Sequence, residues 1–98
     1  MAIVHDSFAL AAATPTIIAT IPAGNPTTVV TVTNVNAGSV FIGDSSVATG
    51  NTVDRGLRIA TNATQQVSLN AGDVLYAISL AGTSSSYDVT VLYSKVVA

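Results

Sequence analysis

Polar and apolar positions of this chain alternate with a period of two, in short runs separated by turn-forming clusters. That is the pattern of strands with one buried face. Residues 16–21 (Thr-Ile-Ile-Ala-Thr-Ile) predict one strand, closed by Pro22. The segment Pro22-Ala-Gly-Asn-Pro26 reads as a turn, because two prolines and a glycine preclude a continuous ladder. Residues 27–35 predict the next strand, with Val30 and Val32 on one face and Thr31 and Thr33 on the other. Asn36-Ala-Gly38 then turns the chain into Val40-Phe41-Ile42, a short buried strand ending at Gly43. Residues 44–52 are the longest polar loop, and a strand around 56–60 is expected to carry Leu57 and Ile59 inward and Arg58 outward. Val67 and Leu69 form the inner pair of 65–69. Asn70-Ala-Gly-Asp73 is a tight hairpin signal, with glycine able to supply a positive φ. Val74, Tyr76, Ile78 and Leu80 share one face of the following strand, and Leu75, Ala77 and Ser79 the other. After a second hairpin loop, residues 87–94 bring Tyr87, Val89, Val91 and Tyr93 together.

Seven or eight short antiparallel strands at about ten-residue spacing predict an all-β fold: one β-sandwich, jelly-roll-like or small barrel domain. Its inner faces are expected to include Val30, Val32, Val40, Ile42, Leu57, Ile59, Val67, Leu69, Ile78, Val89 and Val91. The division is a segment 1–14 and a single β-domain 15–98. Residues 6–14 admit two readings. Asp6 and Ser7 could cap an alanine-rich helix that stops before Pro15, but nine residues barely sustain one. An N-terminal arm or edge strand is therefore favoured, and removing residues 2–12 is expected to leave the β-domain folded.

Composition narrows the function. The 98 residues include 14 Val, 7 Ile and 13 Thr, which pack well on pleated surfaces. Only eight are charged: five Asp, two Arg and one Lys, for a net charge of −2. An electrostatic nucleic-acid binder is thereby disfavoured. No cysteine is present, so disulfides and thiolate metal sites are excluded. Mean hydropathy is +0.59, and residues 7–43 carry no charge, yet Pro15, Pro22 and Pro26 interrupt that stretch and no run of about 20 apolar residues exists. The chain reads as soluble and leaderless, because Phe8 to Ala13 is too short for a signal and lacks a basic flank. Asn62-Ala-Thr64 is then a chance sequon.

Reactive chemistry is scarce. His5-Asp6 is the one imidazole–carboxylate neighbour pair, and adjacent residues of an extended chain point to opposite faces. No Gly-x-Ser-x-Gly elbow, zinc ligand set, calcium loop or glycine-rich phosphate cradle is found. The chain is read as no enzyme and as needing no cofactor. Tyr76, Tyr87 and Tyr93 lie in apolar faces, which favours packing over an exposed sugar platform. Arg55 and Arg58 read either as a solvated strand edge or as interface anchors. Eight charged side chains at roughly 80–100 Å² each cover only about 15% of the ~5,200 Å² that mass scaling assigns to the surface. A surface so poor in charge suits permanent neighbours, and a homo-oligomer is expected.

Thr31-Val-Thr-Asn34, leading through Gly38 into Val40-Phe-Ile-Gly43, resembles a stretch of known virion proteins, as do Leu69-Asn-Ala-Gly-Asp-Val-Leu-Tyr-Ala-Ile-Ser79 and Tyr87-Asp-Val-Thr-Val-Leu92. These are the small all-β virion proteins of tailed bacteriophages, especially head decoration (cement) proteins. The resemblance covers residues 27–93. It implies a structural protein made in the host cytoplasm and placed on the capsid exterior. There it would reinforce contacts between subunits of the major capsid protein, often as a trimer. An N-terminal arm that orders on the capsid fits that family. No contact residue is carried over from that family; from the apolar N-terminal segment and the arginine pair of this chain, Ile3, Val4, Phe8, Leu10, Arg55 and Arg58 are expected to make the partner contact, with neither nucleic acid nor membrane involved. The alternative is a host-attachment or carbohydrate-binding module displayed on a virion or fibre.

Overall fold

The computed structural model describes residues 2–11, 14–47, 56–80 and 87–95. Eight strands run through them: β1 (Ala2–Phe8), β2 (Thr16–Thr20), β3 (Thr28–Asn34), β4 (Val40–Gly43), β5 (Leu57–Ile59), β6 (Thr64–Leu69), β7 (Val74–Ser79) and β8 (Val89–Lys95). Among the described residues there is no helix. The fold is all-β. Two four-stranded antiparallel sheets have the orders β1-β8-β3-β6 and β2-β7-β4-β5. The first strand pairs with the last, the second with the seventh, the third with the sixth and the fourth with the fifth. The chain is thus one long hairpin rolled up, and β3–β8 and β4–β7 pairing closes the roll. This strand order is that of a jelly-roll sandwich.

Local chemistry sets the corners. Asn70 N–H donates to Asp73 Oδ2 (2.8 Å) and Asp73 N–H to Asn70 O (3.0 Å), while Gly72 takes φ +87° between them. A side chain at Gly72 would be strained by that dihedral alone. The same corner receives the end of β2, through Ile21 N–H to Asp73 O (2.9 Å) and Gly72 N–H to Ile21 O (2.8 Å).

Between the sheets lie Val30, Val32, Val89 and Val91 from one side, and Ile18, Ala19, Val40, Ile42, Ile59, Leu75 and Ala77 from the other. Leu10 and Ile21 close the core from connecting segments. Each fully buried Val, Leu or Ile contributes about 1.5–3 kcal/mol by leaving water. A shift of register between Ile17 and Ala19 lets consecutive residues, Ile18 and Ala19, both be buried. Val67 and Leu69 pack against the core from partly buried positions.

Three expectations are corrected. Leu57 lies opposite Ile42 in the register but is 47% exposed, because β5 is the outermost strand of its sheet. Ile78 is buried on the other side of its sheet, with Phe41 and Val47 and the partly buried Tyr76, while Leu75 and Ala77 take the core face of β7. The N-terminal segment takes the edge-strand alternative and no helix through residue 11, but it is not dispensable: β1 pairs with β8 from Ala2↔Lys95 to Phe8↔Val89, and Leu10 sits in the core. Removing residues 2–12 would therefore dismantle one sheet edge and part of the core.

Candidate functional site

The register of the β1-β8-β3-β6 sheet decides what its outer face presents. Val4, Phe8, Val89, Val91, Tyr93, Val30, Val32, Val67 and Leu69 belong to the inward phase. The opposite phase consists of Ile3, His5 and Ser7 on β1, Thr90, Leu92 and Ser94 on β8, Val29, Thr31 and Thr33 on β3, and Thr64, Gln66 and Ser68 on β6. None of these is Asp, Lys or Arg. Three aliphatic side chains stand out of it: Ile3 at 73% exposure, Val29 at 49% and Leu92 at 49%. Around them the face is hydroxyl and amide, with the His5 imidazole on β1, and Thr33 and Thr64 are bonded through their hydroxyls at 2.9 Å. A sheet face without Asp, Lys or Arg can bind by shape and apolar burial with little desolvation of charge.

The sequence-expected contact residues do not gather on it. Ile3 is on this face and Arg58 is exposed on the other sheet, where its Nε donates to Ser39 Oγ at 2.9 Å. Val4 and Phe8 are half-buried, opposite Tyr93 and Val89. Leu10 is 1% exposed and so holds the core together instead of meeting a partner. Arg55 lies outside the described residues. Val29 and Leu92 join Ile3 there, and each carries a signal in the sequence: an aliphatic residue in the polar phase of an alternating strand.

Among the described residues the one buried carboxylate, that of Asp88, belongs to a structural network. Asp88 has no exposed surface; its Oδ2 accepts from Leu10 N–H (2.7 Å) and its Oδ1 from Asn36 Nδ2 (2.8 Å). Asn36 Oδ1 accepts from Gly38 N–H (2.6 Å), and Asn34 Oδ1 from Asn36 N–H (2.7 Å). Asn34 Nδ2 donates to Gly38 O (2.9 Å) and Ile59 O (2.8 Å). Among the described residues no buried polar side-chain atom lacks a partner, no pocket opens, and no three metal-ligating side chains gather. A carboxylate so enclosed positions loops and reaches no substrate.

The exposed acids are equally local. Asp6 Oδ1 accepts from Ser7 N–H at 2.9 Å and lies opposite Val91, on the face of β1 that His5 does not share. Hydrogen bonds from the Ser46 hydroxyl and backbone N–H hold the Asp44 carboxyl below its ordinary value.

No family model, curated protein or solved structure matches this chain.

Proposed function

We propose that this protein is a structural component of a bacteriophage virion that binds the outside of the capsid and reinforces contacts between major capsid protein subunits. The observation that carries the proposal is the uncharged outer face of the β1-β8-β3-β6 sheet, with Ile3, Val29 and Leu92 exposed on it. The resemblance of residues 27–93 to head decoration proteins supplies the partner; the face supplies a surface suited to permanent contact. A sugar-binding module is less well supported. Of the three tyrosines it would draw on, Tyr76 and Tyr93 are half-buried, which leaves Tyr87 at 42% exposure.

Binding to the assembled shell stabilises it by RT ln(1 + [L]/Kd), about 2.7 kcal/mol per site at a hundredfold excess over Kd. The test compares purified particles with and without the protein for heat-induced DNA release. Decorated particles are expected to release DNA at higher temperature, with binding that weakens little as salt rises, since the face holds no fixed charge. Leu92→Asp is expected to abolish binding while leaving the fold intact. Equal release at full occupancy would overturn the proposal.

A further inference from the structure

Among the described residues each sheet ends in two edge strands, and the four edges differ. An open edge offers unpaired N–H and C=O groups to any extended chain, so natural sheets blunt it with short strands, bulges, prolines or charge. β5 is three residues long and carries Arg58. β2 is broken by its register shift and lies between Pro15 and Pro22. β1 carries Asp6 opposite the buried Val91, so a strand added there would enclose a carboxylate. β6 has none of these devices. Its six residues, TQQVSL, contain no charge and no proline, and they pair with β3 in unbroken register from Thr28↔Leu69 to Thr33↔Thr64.

The backbone phase of that edge can be read. Asn34 N–H donates to Ala63 O at 3.0 Å, one pair beyond Thr33↔Thr64. Hydrogen-bonded and non-bonded pairs alternate along an antiparallel ladder. Gln65, Val67 and Leu69 therefore turn their peptide groups toward β3, and Thr64, Gln66 and Ser68 turn theirs to the open side. The Gln66 carbonyl agrees with this phase: it takes a long, exposed bond from Gln65 Nε2 at 3.3 Å. An incoming strand would displace that bond at little cost, because it is solvent-exposed.

We propose that β6 is the contact between two copies of this chain, paired edge to edge and antiparallel about a two-fold axis, so that two four-stranded sheets become one of eight strands. The occupant follows from the edge chemistry. A two-fold axis sets a strand against its own reversed copy, so any charge on it would lie near its like. TQQVSL carries none, and the outer face it would extend carries no fixed charge either. Placing the axis at Gln66 or at Val67 keeps outward residues opposite outward ones and inward opposite inward. A single edge meeting itself is a two-fold relation and does not generate the three-fold arrangement implied by the resemblance. The inference does not rest on capsid binding.

The test is sedimentation equilibrium of the full chain from micromolar to millimolar concentration. The unaltered protein is expected to reach twice the chain mass. The double variant Gln66→Lys, Ser68→Lys is expected to remain monomeric with an unchanged far-ultraviolet spectrum, because both sites are exposed. Gln66→Pro is expected to do the same, since it removes an N–H that faces the open side and leaves the β3 ladder bonded. Leu92→Asp, on the face and away from the edge, is expected to keep the dimer; this separates the contact from the capsid surface. A monomer at every concentration, a trimer, or a dimer that survives the folded lysine variant would overturn the proposal.

Discussion

Leu10 N–H donates a 2.7 Å hydrogen bond to Asp88 Oδ2, joining residues 78 apart in the chain. The same residue's backbone continues the link, through Asp88 N–H to Phe8 O (2.7 Å) and Val35 N–H to Asp88 O (2.9 Å). Asp88 thus ties the start of β8 to the exit of β1 and to the end of β3, at one end of the sandwich.

Asp88→Ala should expose the cost of that arrangement. It leaves the Leu10 N–H and the Asn36 amide buried without these acceptors. Each such group costs about 1–3 kcal/mol, so a loss of about 2–5 kcal/mol is expected in urea denaturation. A loss below about 1 kcal/mol would show that water reaches this end of the fold.

Gly56 and Gly72 separate crowding from conformation. A Cβ at Gly56 would collide with Ile42 O and lie 2.7 Å from Val47 Cγ2, whereas one at Gly72 would meet nothing within 4 Å. Gly56→Ala is expected to cost at least about 3 kcal/mol, because backbone must move. Gly72→Ala should cost about 1–2 kcal/mol, from its φ of +87° alone. Thermal melts of the two variants give the comparison.

Leu75 and Leu57 test which leucine the fold uses. Leu75 is 4% exposed in the core and Leu57 is 47% exposed at an edge. Leu75→Ala is expected to cost about 2–5 kcal/mol through lost burial and a cavity. Leu57→Ala should stay below about 1 kcal/mol. Urea midpoints at unchanged slope measure both.

Truncation tests the N-terminal segment. Removing residues 2–12 strips β1 from β8, takes Leu10 out of the core and leaves Asp88 Oδ2 without its Leu10 donor. The shortened chain is expected to lose its cooperative thermal transition, followed by circular dichroism. A retained transition near that of the full chain would mean that β1 adds little to stability.

Much of the architecture was legible in the sequence, because the signals are local. Alternation sets which residues of β3 and β8 share a face, and prolines, glycines and asparagines mark the corners through their own backbone preferences. Val30, Val32, Val40, Ile42, Ile59, Val89 and Val91 were readable as core for that reason, and all are buried. The scarcity of charge was equally plain in the composition.

What only the tertiary structure decided depends on long-range pairing. Both faces of β7 are apolar, so alternation cannot choose between Leu75 with Ala77 and Tyr76 with Ile78; the packing of the second sheet against the first does. Leu57 has the right face and the wrong strand, since being outermost follows from sheet order. Asn34, Asn36 and Asp88 look like ordinary turn residues until the roll closes and encloses them. Composition states that charge is rare, but only register places Ile3, Val29 and Leu92 on one face without Asp, Lys or Arg, and only sheet order makes β6 the outermost described strand of its sheet. Periodicity is a property of neighbours along the chain; faces and edges are properties of which strands meet.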